Sequence, residues 1–254
     1  MWVFAQPDPV SLNAGLRDEG LARARELGHE VVVSDLYAMK WKATVDRDDY
    51  GDGYESDPVT VASQRAFADG TLSADVLAEQ SKLDWADALV LQFPLWWFGP
   101  PAILKGWIDR VFVKGYAYGV RDPHDPRRTL RYGEGNLVGK RAMVITTAGS
   151  PAAALGPRGI NGQVDEVLFP LLHGTLWYTG MTVLPPVVIP GADRIDAEHY
   201  RQAAQLVRDR VATLDRTEPI RYRHQAGGDY DPDFVLHPHV APGASGIAVH
   251  RVTG

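Results

Sequence analysis

The chain has 254 residues, 45% apolar and 23% charged, with a formal net charge of −6 and no cysteine. That length and apolar content suffice for one large domain with a sizeable core, and the acidic balance argues against a nucleic-acid partner held by a basic face. The lack of cysteine rules out disulfides, a thiol nucleophile and thiolate metal sites. With no basic leader, no apolar run of bilayer length and no Asn-x-Ser/Thr site, it leads to the expectation of a cytoplasmic protein that does not insert in a membrane.

Short apolar runs alternate with longer helical patterns along the chain. Strands are expected at residues 2–5, 30–34, 88–93, 142–146 and 182–188, whose nearly continuous Val, Ile, Leu and Phe content suits strands covered on both faces. Helices are expected at 11–27, ending at Gly28, and at 74–83, 100–113, 162–172 and 197–214. This alternation predicts an α/β fold, a doubly wound parallel five-stranded sheet with helices on both faces. Two stretches interrupt it: residues 44–58, acidic and Gly-containing, and residues 120–137, rich in Pro, Gly and charge. Connections of that length are often functional or mobile. Residues 218–254 carry Pro219, Pro232, Pro238 and Pro242 without a clear period. They are expected to form an irregular extension, packed on the body (residues 1–217) or on a partner subunit.

Three strand-to-helix loops carry candidate chemistry. After the first strand, Ser11 can cap the following helix, whose free amides, with the Ser11 hydroxyl and the Asn13 amide, would suit a phosphate; a plain helix cap is the equally simple alternative. After the third strand come Pro94, Leu95, Trp96, Trp97 and Phe98. A turn at a strand end would not ordinarily spend three aromatic residues in a row on solvent, and there it offers a platform for a flat apolar ring. After the fourth, Thr147, Ala148 and Gly149 let backbone approach a ligand closely and offer donors. In a doubly wound sheet these loops open on one edge, so phosphate, ring face and ring rim would be held together. Residues 46–57 half resemble a calcium loop, but Tyr50 stands where an oxygen ligand is needed and Asp57 is shorter than the usual Glu. His237 and His239 flank a proline in the tail and read as surface sequence, so no metal site is expected.

The run Gln92-Phe93-Pro94-Leu95-Trp96-Trp97-Phe98-Gly99-Pro100-Pro101, continuing through Lys105-Gly106-Trp107 to Phe112, closely resembles the NAD(P)H:quinone oxidoreductase (DT-diaphorase-like) family of the flavodoxin-like superfamily. Ser34-Asp35-Leu36-Tyr37, Leu72-Ser73-Ala74-Asp75, Thr146-Thr147-Ala148-Gly149-Ser150 and Phe169-Pro170-Leu171-Leu172-His173-Gly174 match further blocks, and the likeness covers roughly residues 1–215. The resemblance implies a bound flavin, FAD with FMN as the alternative, NAD(P)H as co-substrate, a quinone or related acceptor, and a homodimer with shared active sites. It implies two-electron hydride transfer through flavin N5 with ping-pong kinetics. Carried over, Gln6, Ser11, Leu12 and Asn13 would hold the phosphates. Pro94, Leu95, Trp96, Trp97 and Phe98 would line the isoalloxazine, and Thr146, Thr147, Ala148 and Gly149 its polar rim. Tyr118 and Tyr178 would wall the substrate pocket, partly from the second subunit, and Gly149 and Asn161 would support catalysis.

The chain departs from the family in four places. Gln6 replaces a frequent His, Trp96 a frequent Gln, the loop at 151–155 has no Tyr, and Asn161 stands where a His is expected. An amide donates a hydrogen bond but shuttles no proton. Two other readings stand beside this one: an ancillary flavoprotein of a potassium efflux system, and an azo or nitro reductase.

Overall fold

The computed structural model describes residues 1–54 and 56–252. Its centre is a parallel sheet. Trp2–Phe4 (β1), Ala88–Pro94 (β3) and Arg141–Ala148 (β4) form the middle, and Val33–Asp35 (β2) lies on the outer side of β1. β1 pairs with β3 through Phe4 opposite Gln92, and β3 with β4 through Pro94 opposite Thr147. Strand order runs β2-β1-β3-β4, so the direction of winding reverses between β1 and β3. That reversal is where open α/β sheets leave a crevice at their carboxyl edge.

The expected strand at 182–188 is split. Thr182–Val183 (β5) pairs with Arg141 and Ala142, and Val187–Pro190 (β6) with Ile145 through Ala148, both parallel to β4. Between them lie Leu184, Pro185 and Pro186. A proline lacks the N–H a ladder needs, so two in a row interrupt the edge and give six strands where five are expected. The second strand also starts later than expected, at Val33.

Because successive strand residues point to opposite faces, β1 feeds two cores. Trp2 and Phe4 join Leu16, Val90, Met143, Ile145 and Val207 under Leu12–Glu26 (α1) and, later in the chain, Ala197–Ala212 (α7). Ala5 and Val3 join Leu91, Phe93, Val144, Leu104, Trp107 and Leu176 on the other face. That face is covered by Val59–Asp69 (α2), Ala74–Trp85 (α3) and Ala102–Val111 (α4). α2 was not expected from the sequence. Its buried residues are Ala62, Ser63 and Ala66, which are too small to mark an apolar stripe.

The helix expected at 162–172 is broken into Val164–Val167 (α5) and Phe169–Leu171 (α6), followed by a π-helical turn at Leu172–Trp177. Pro170 cannot supply the N–H of a continuous helix. π-Helical turns of this kind frequently mark functional positions.

The stretch at 44–58 is anchored rather than loose. Arg110, buried on α4, holds Asp49 at 2.8 Å and Asp75 at 2.7 Å, and Lys42 reaches the same Asp49 at 2.9 Å. Asp46 accepts from the Asp48 amide and from Lys42, and Asp57 pairs with Arg65. Two of the carboxylates that half resemble a calcium loop, Asp46 and Asp57, are thus spent on cations of the chain itself. No group of His, Asp and Glu suited to a metal ion occurs among the described residues, and no helix among them is long and apolar enough to cross a membrane.

Residues 218–252 contain no strand or α-helix, only a short turn at Ile247–His250. The Ile220 amide donates to the Val183 carbonyl at 2.8 Å, and the Trp177 indole donates to the Arg223 carbonyl at 3.3 Å. Tyr222 is buried beside His173 and Trp177, at ring separations of 4.9 and 5.9 Å.

Candidate active site at the carboxyl edge of the sheet

The start of α1 is tied to the ends of two strands. The Asn13 side chain, 2% exposed, donates from Nδ2 to Thr147 Oγ1 at 2.7 Å. Gln92 on β3 donates from Nε2 to the Asn13 carbonyl at 2.8 Å and accepts from the Trp2 indole at 2.9 Å. Ser11 caps the helix by accepting from the Ala14 amide at 3.2 Å, and its hydroxyl donates to the Asp8 carbonyl. The Ser11 hydroxyl and Asn13 Nδ2 are therefore engaged within the protein. The free donors at this helix start are the backbone amides of its first turn, those of Leu12 and Asn13, which have no intrahelical acceptor.

Polar atoms without partners concentrate here. Among the described residues, six buried side-chain atoms lack a hydrogen bond, and three of them, Gln6 Oε1, Asn13 Oδ1 and Thr146 Oγ1, belong to these strand ends. Buried polar groups are normally satisfied, so each of these atoms is open to a further partner; Thr146, next to Thr147 on β4, turns its side chain to the face of the sheet opposite the Asn13–Thr147 bond.

The aromatic turn leaves β3 as a tight hairpin. Leu95 still pairs with the sheet, its amide donating to the Thr147 carbonyl at 2.8 Å. Trp96 and Gly99 then exchange two hydrogen bonds, each of 3.0 Å. Between them Trp97 (φ 49°) and Phe98 (φ 61°) are both in the left-handed region. Two consecutive left-handed residues define the turn that ordinarily takes Asn or Gly, and an L-residue with a Cβ is held there at a cost of about 1–2 kcal/mol. The rings are not buried in return. Trp97 is 98% exposed, and Trp96 and Phe98 are also exposed.

On the third side, the Asn161 side chain donates to Ser150 Oγ at 2.8 Å and its backbone amide to the Ala154 carbonyl at 3.1 Å, folding the 150–161 loop back on itself. The Ser150 carbonyl accepts from the Gly191 amide at 2.9 Å. A Cβ on Gly149 would overlap the Asp193 carboxylate, which packs against the glycine.

Gln6, Ser11, Leu12, Asn13, Pro94–Phe98 and Thr146–Gly149 are thus brought to one edge, with Asn161 beside them through Ser150. Tyr118 and Tyr178 lie elsewhere. They line a hollow of about 330 Å³ with Ile108, Phe112, Gly174 and Thr175, and no residue of the cradle lines it. Tyr132 stands edge-on to Tyr178 at 5.0 Å. Burial lifts the Tyr118 phenol above its ordinary pKa, and Tyr178 nearby adds to the effect. A larger cavity, about 510 Å³, opens between Trp85, Arg141 and Leu214. It lies at the amino ends of the strands, away from these loops.

Sequence reasoning missed two residues of the edge. Gln92 could have been noticed as the polar member of an apolar strand run. Asp193 carries no local signal, because only the fold brings it to Gly149.

The flavodoxin-like fold family matches residues 1–211. A Penicillium crustosum protein named ribosyldihydronicotinamide dehydrogenase-like protein traD is 45% identical over 255 residues, 99% of this chain and 94% of that protein. The rat NAD(P)H dehydrogenase (quinone) 1 (Rattus norvegicus) is 32% identical, over 87% of this chain and 78% of its own length. A solved chain from Klebsiella pneumoniae, described as a candidate quinone reductase, superposes with a TM-score of 0.95 at 50% identity, covering 99% of this chain and 98% of that one. The shared switch-point edge and this likeness along nearly the whole length lead to one conclusion: the chain is an oxidoreductase and belongs to the NAD(P)H:quinone oxidoreductase family of the flavodoxin-like superfamily.

Proposed function

We propose that the chain is a flavin-dependent NAD(P)H:quinone oxidoreductase whose flavin sits in the cradle at the carboxyl edge of β1, β3 and β4. The observation that carries this reading is that the ends of these strands hold orphaned polar atoms, Gln6 Oε1, Asn13 Oδ1 and Thr146 Oγ1, and an exposed, strained aromatic hairpin. The donor set fits the group. The backbone amides of Leu12 and Asn13, at the positive end of α1, suit a phosphate. Trp97 and Phe98 offer apolar faces to a planar ring, and the small residues Thr147, Ala148 and Gly149 let backbone reach a polar rim.

A bound flavin would accept a hydride from the nicotinamide and deliver it to the quinone. The residues of the chain position and shield. Pro94 and Leu95 hold the hairpin on the sheet through the Leu95–Thr147 hydrogen bond. Asn161 fixes the 150–161 loop through Ser150 and can donate a hydrogen bond, though it cannot relay a proton as a histidine does. Tyr118 and Tyr178, which line a hollow that no cradle residue lines, would complete the pocket of a partner in a homodimer with shared sites. One pocket serving donor and acceptor in turn gives ping-pong kinetics. Residues 1–217 would be the catalytic body and 218–254 an extension.

The test is to purify the protein, record its visible spectrum and identify the released cofactor by mass, which separates FAD from FMN. Reduction of the bound chromophore is then followed with NADH, NADPH and a ribosyl dihydronicotinamide, and reoxidation with a benzoquinone. A colourless protein that binds neither flavin on addition overturns the reading.

A further inference from the structure

Asp193 belongs to no expected motif, yet its carboxylate lies against Gly149, the residue that follows β4. The geometry is built in. Gly191, in the left-handed region (φ 67°), turns the chain out of β6, its amide donates to the Ser150 carbonyl at 2.9 Å, and Asp193 sits on the short turn that follows. The space a side chain at 149 would need is taken by the carboxylate, so Gly149 and Asp193 fit as a pair. Among the described residues Asp193 has no ion pair and no side-chain hydrogen bond, and none joins it to its neighbour Arg194. The side chain is exposed.

We propose that Asp193 is a charge-setting residue of the cradle, holding the reduction potential of the bound flavin low. This rests on the flavin reading given above. Two-electron reduction of a flavin places negative charge on its polar rim, and a fixed carboxylate beside that rim repels the charge. Asp193 therefore weakens binding of the reduced form relative to the oxidised form, and by linkage the reduced form becomes the better hydride donor. The carboxylate acts through the field at Gly149 and takes no part in proton transfer. It supplies an electrostatic influence at a site where the tyrosine and histidine common in the family are absent.

The experiment measures the midpoint potential of the flavin on the purified holoprotein by equilibration with a redox dye, for the wild type, Asp193→Asn and Asp193→Glu, at low and high salt. Asp193→Asn is expected to tighten the reduced flavin about tenfold relative to the oxidised flavin, a rise of about 30 mV for a two-electron couple. Asp193→Glu is expected to keep the low potential. Because the charge is exposed, salt should raise the wild-type potential towards that of Asp193→Asn while leaving the latter nearly unmoved. Equal potentials and equal salt responses in wild type and Asp193→Asn, with flavin bound to both, overturn the assignment and leave the flavin reading intact. A wild-type chain that takes up no flavin overturns both.

Discussion

Thr147→Val is the most direct perturbation of the cradle. Thr147 Oγ1 is the acceptor that anchors Asn13 Nδ2 at 2.7 Å, and both residues are buried. Valine has nearly the shape of threonine, so no cavity opens; what is lost is the acceptor, and a buried amide donor is left unpaired. That costs about 1–3 kcal/mol, which for a chain of 254 residues lowers Tm by about 2–4 °C for each kcal/mol. The same bond fixes the first turn of α1 against β4, so the amides proposed to hold a phosphate lose their anchor, and flavin affinity should fall about tenfold, or 1.4 kcal/mol. The assay pairs urea denaturation with flavin titration for Thr147→Val, Asn13→Ala and the double variant. A coupling energy of about 0.5–3 kcal/mol is expected from contacting residues. If Thr147→Val costs less than about 0.5 kcal/mol, or if the two substitutions add without coupling, the claim that this bond organises the cradle is wrong.

Three further outcomes follow from the same geometry. Trp97→Gly removes a left-handed residue with a side chain that buries nothing, so stability should hold or rise by up to about 1 kcal/mol, while flavin or acceptor binding weakens; a marked loss of stability in a thermal melt contradicts the strained-turn account. Asn161→Ala should lower turnover modestly with flavin retained, and complete loss of steady-state activity would show that its amide does more than hold Ser150. Burial, aided by His250 and Arg251, lowers the pKa of His173 to about 4, and burial also lowers that of His250. The unfolded chain, with ordinary imidazoles, binds more protons, so this part of the stability is whole above about pH 6.5 and is lost as pH falls towards 4; a His173→Phe variant should flatten that slope in urea unfolding at stepped pH.

The central strands, and the placing of the three strand-to-helix loops at one edge of the sheet, were legible in the chain itself. Apolar runs bounded by turn residues located β3 and β4, and the sequence from Gln92 to Phe112 marks a strand, an aromatic turn and a helix in order. Ser11 announced the start of α1 because a cap is a local interaction, readable from a few residues. Local rules failed where the answer lay in partners far along the chain. α2 escaped notice because alanine and serine buried against a sheet look like neither face of a helix. The break at Pro185 and Pro186 could be read as a weak strand but not as two strands on one edge, since both must find β4. Asp46 and Asp57 belong to a partial calcium pattern in the sequence, and in the fold they pair with Lys42 and Arg65. The sequence offers the Ser11 and Asn13 side chains as donors to a phosphate, yet the fold engages both donors internally. Residue type and spacing determined which loops could meet at the sheet edge, because alternation and strand order follow from short-range chemistry. Only the tertiary structure decided that Gln92 locks them together, that Trp97 stays outside and that Asp193 lands on Gly149, because those contacts join positions that chain neighbours do not specify.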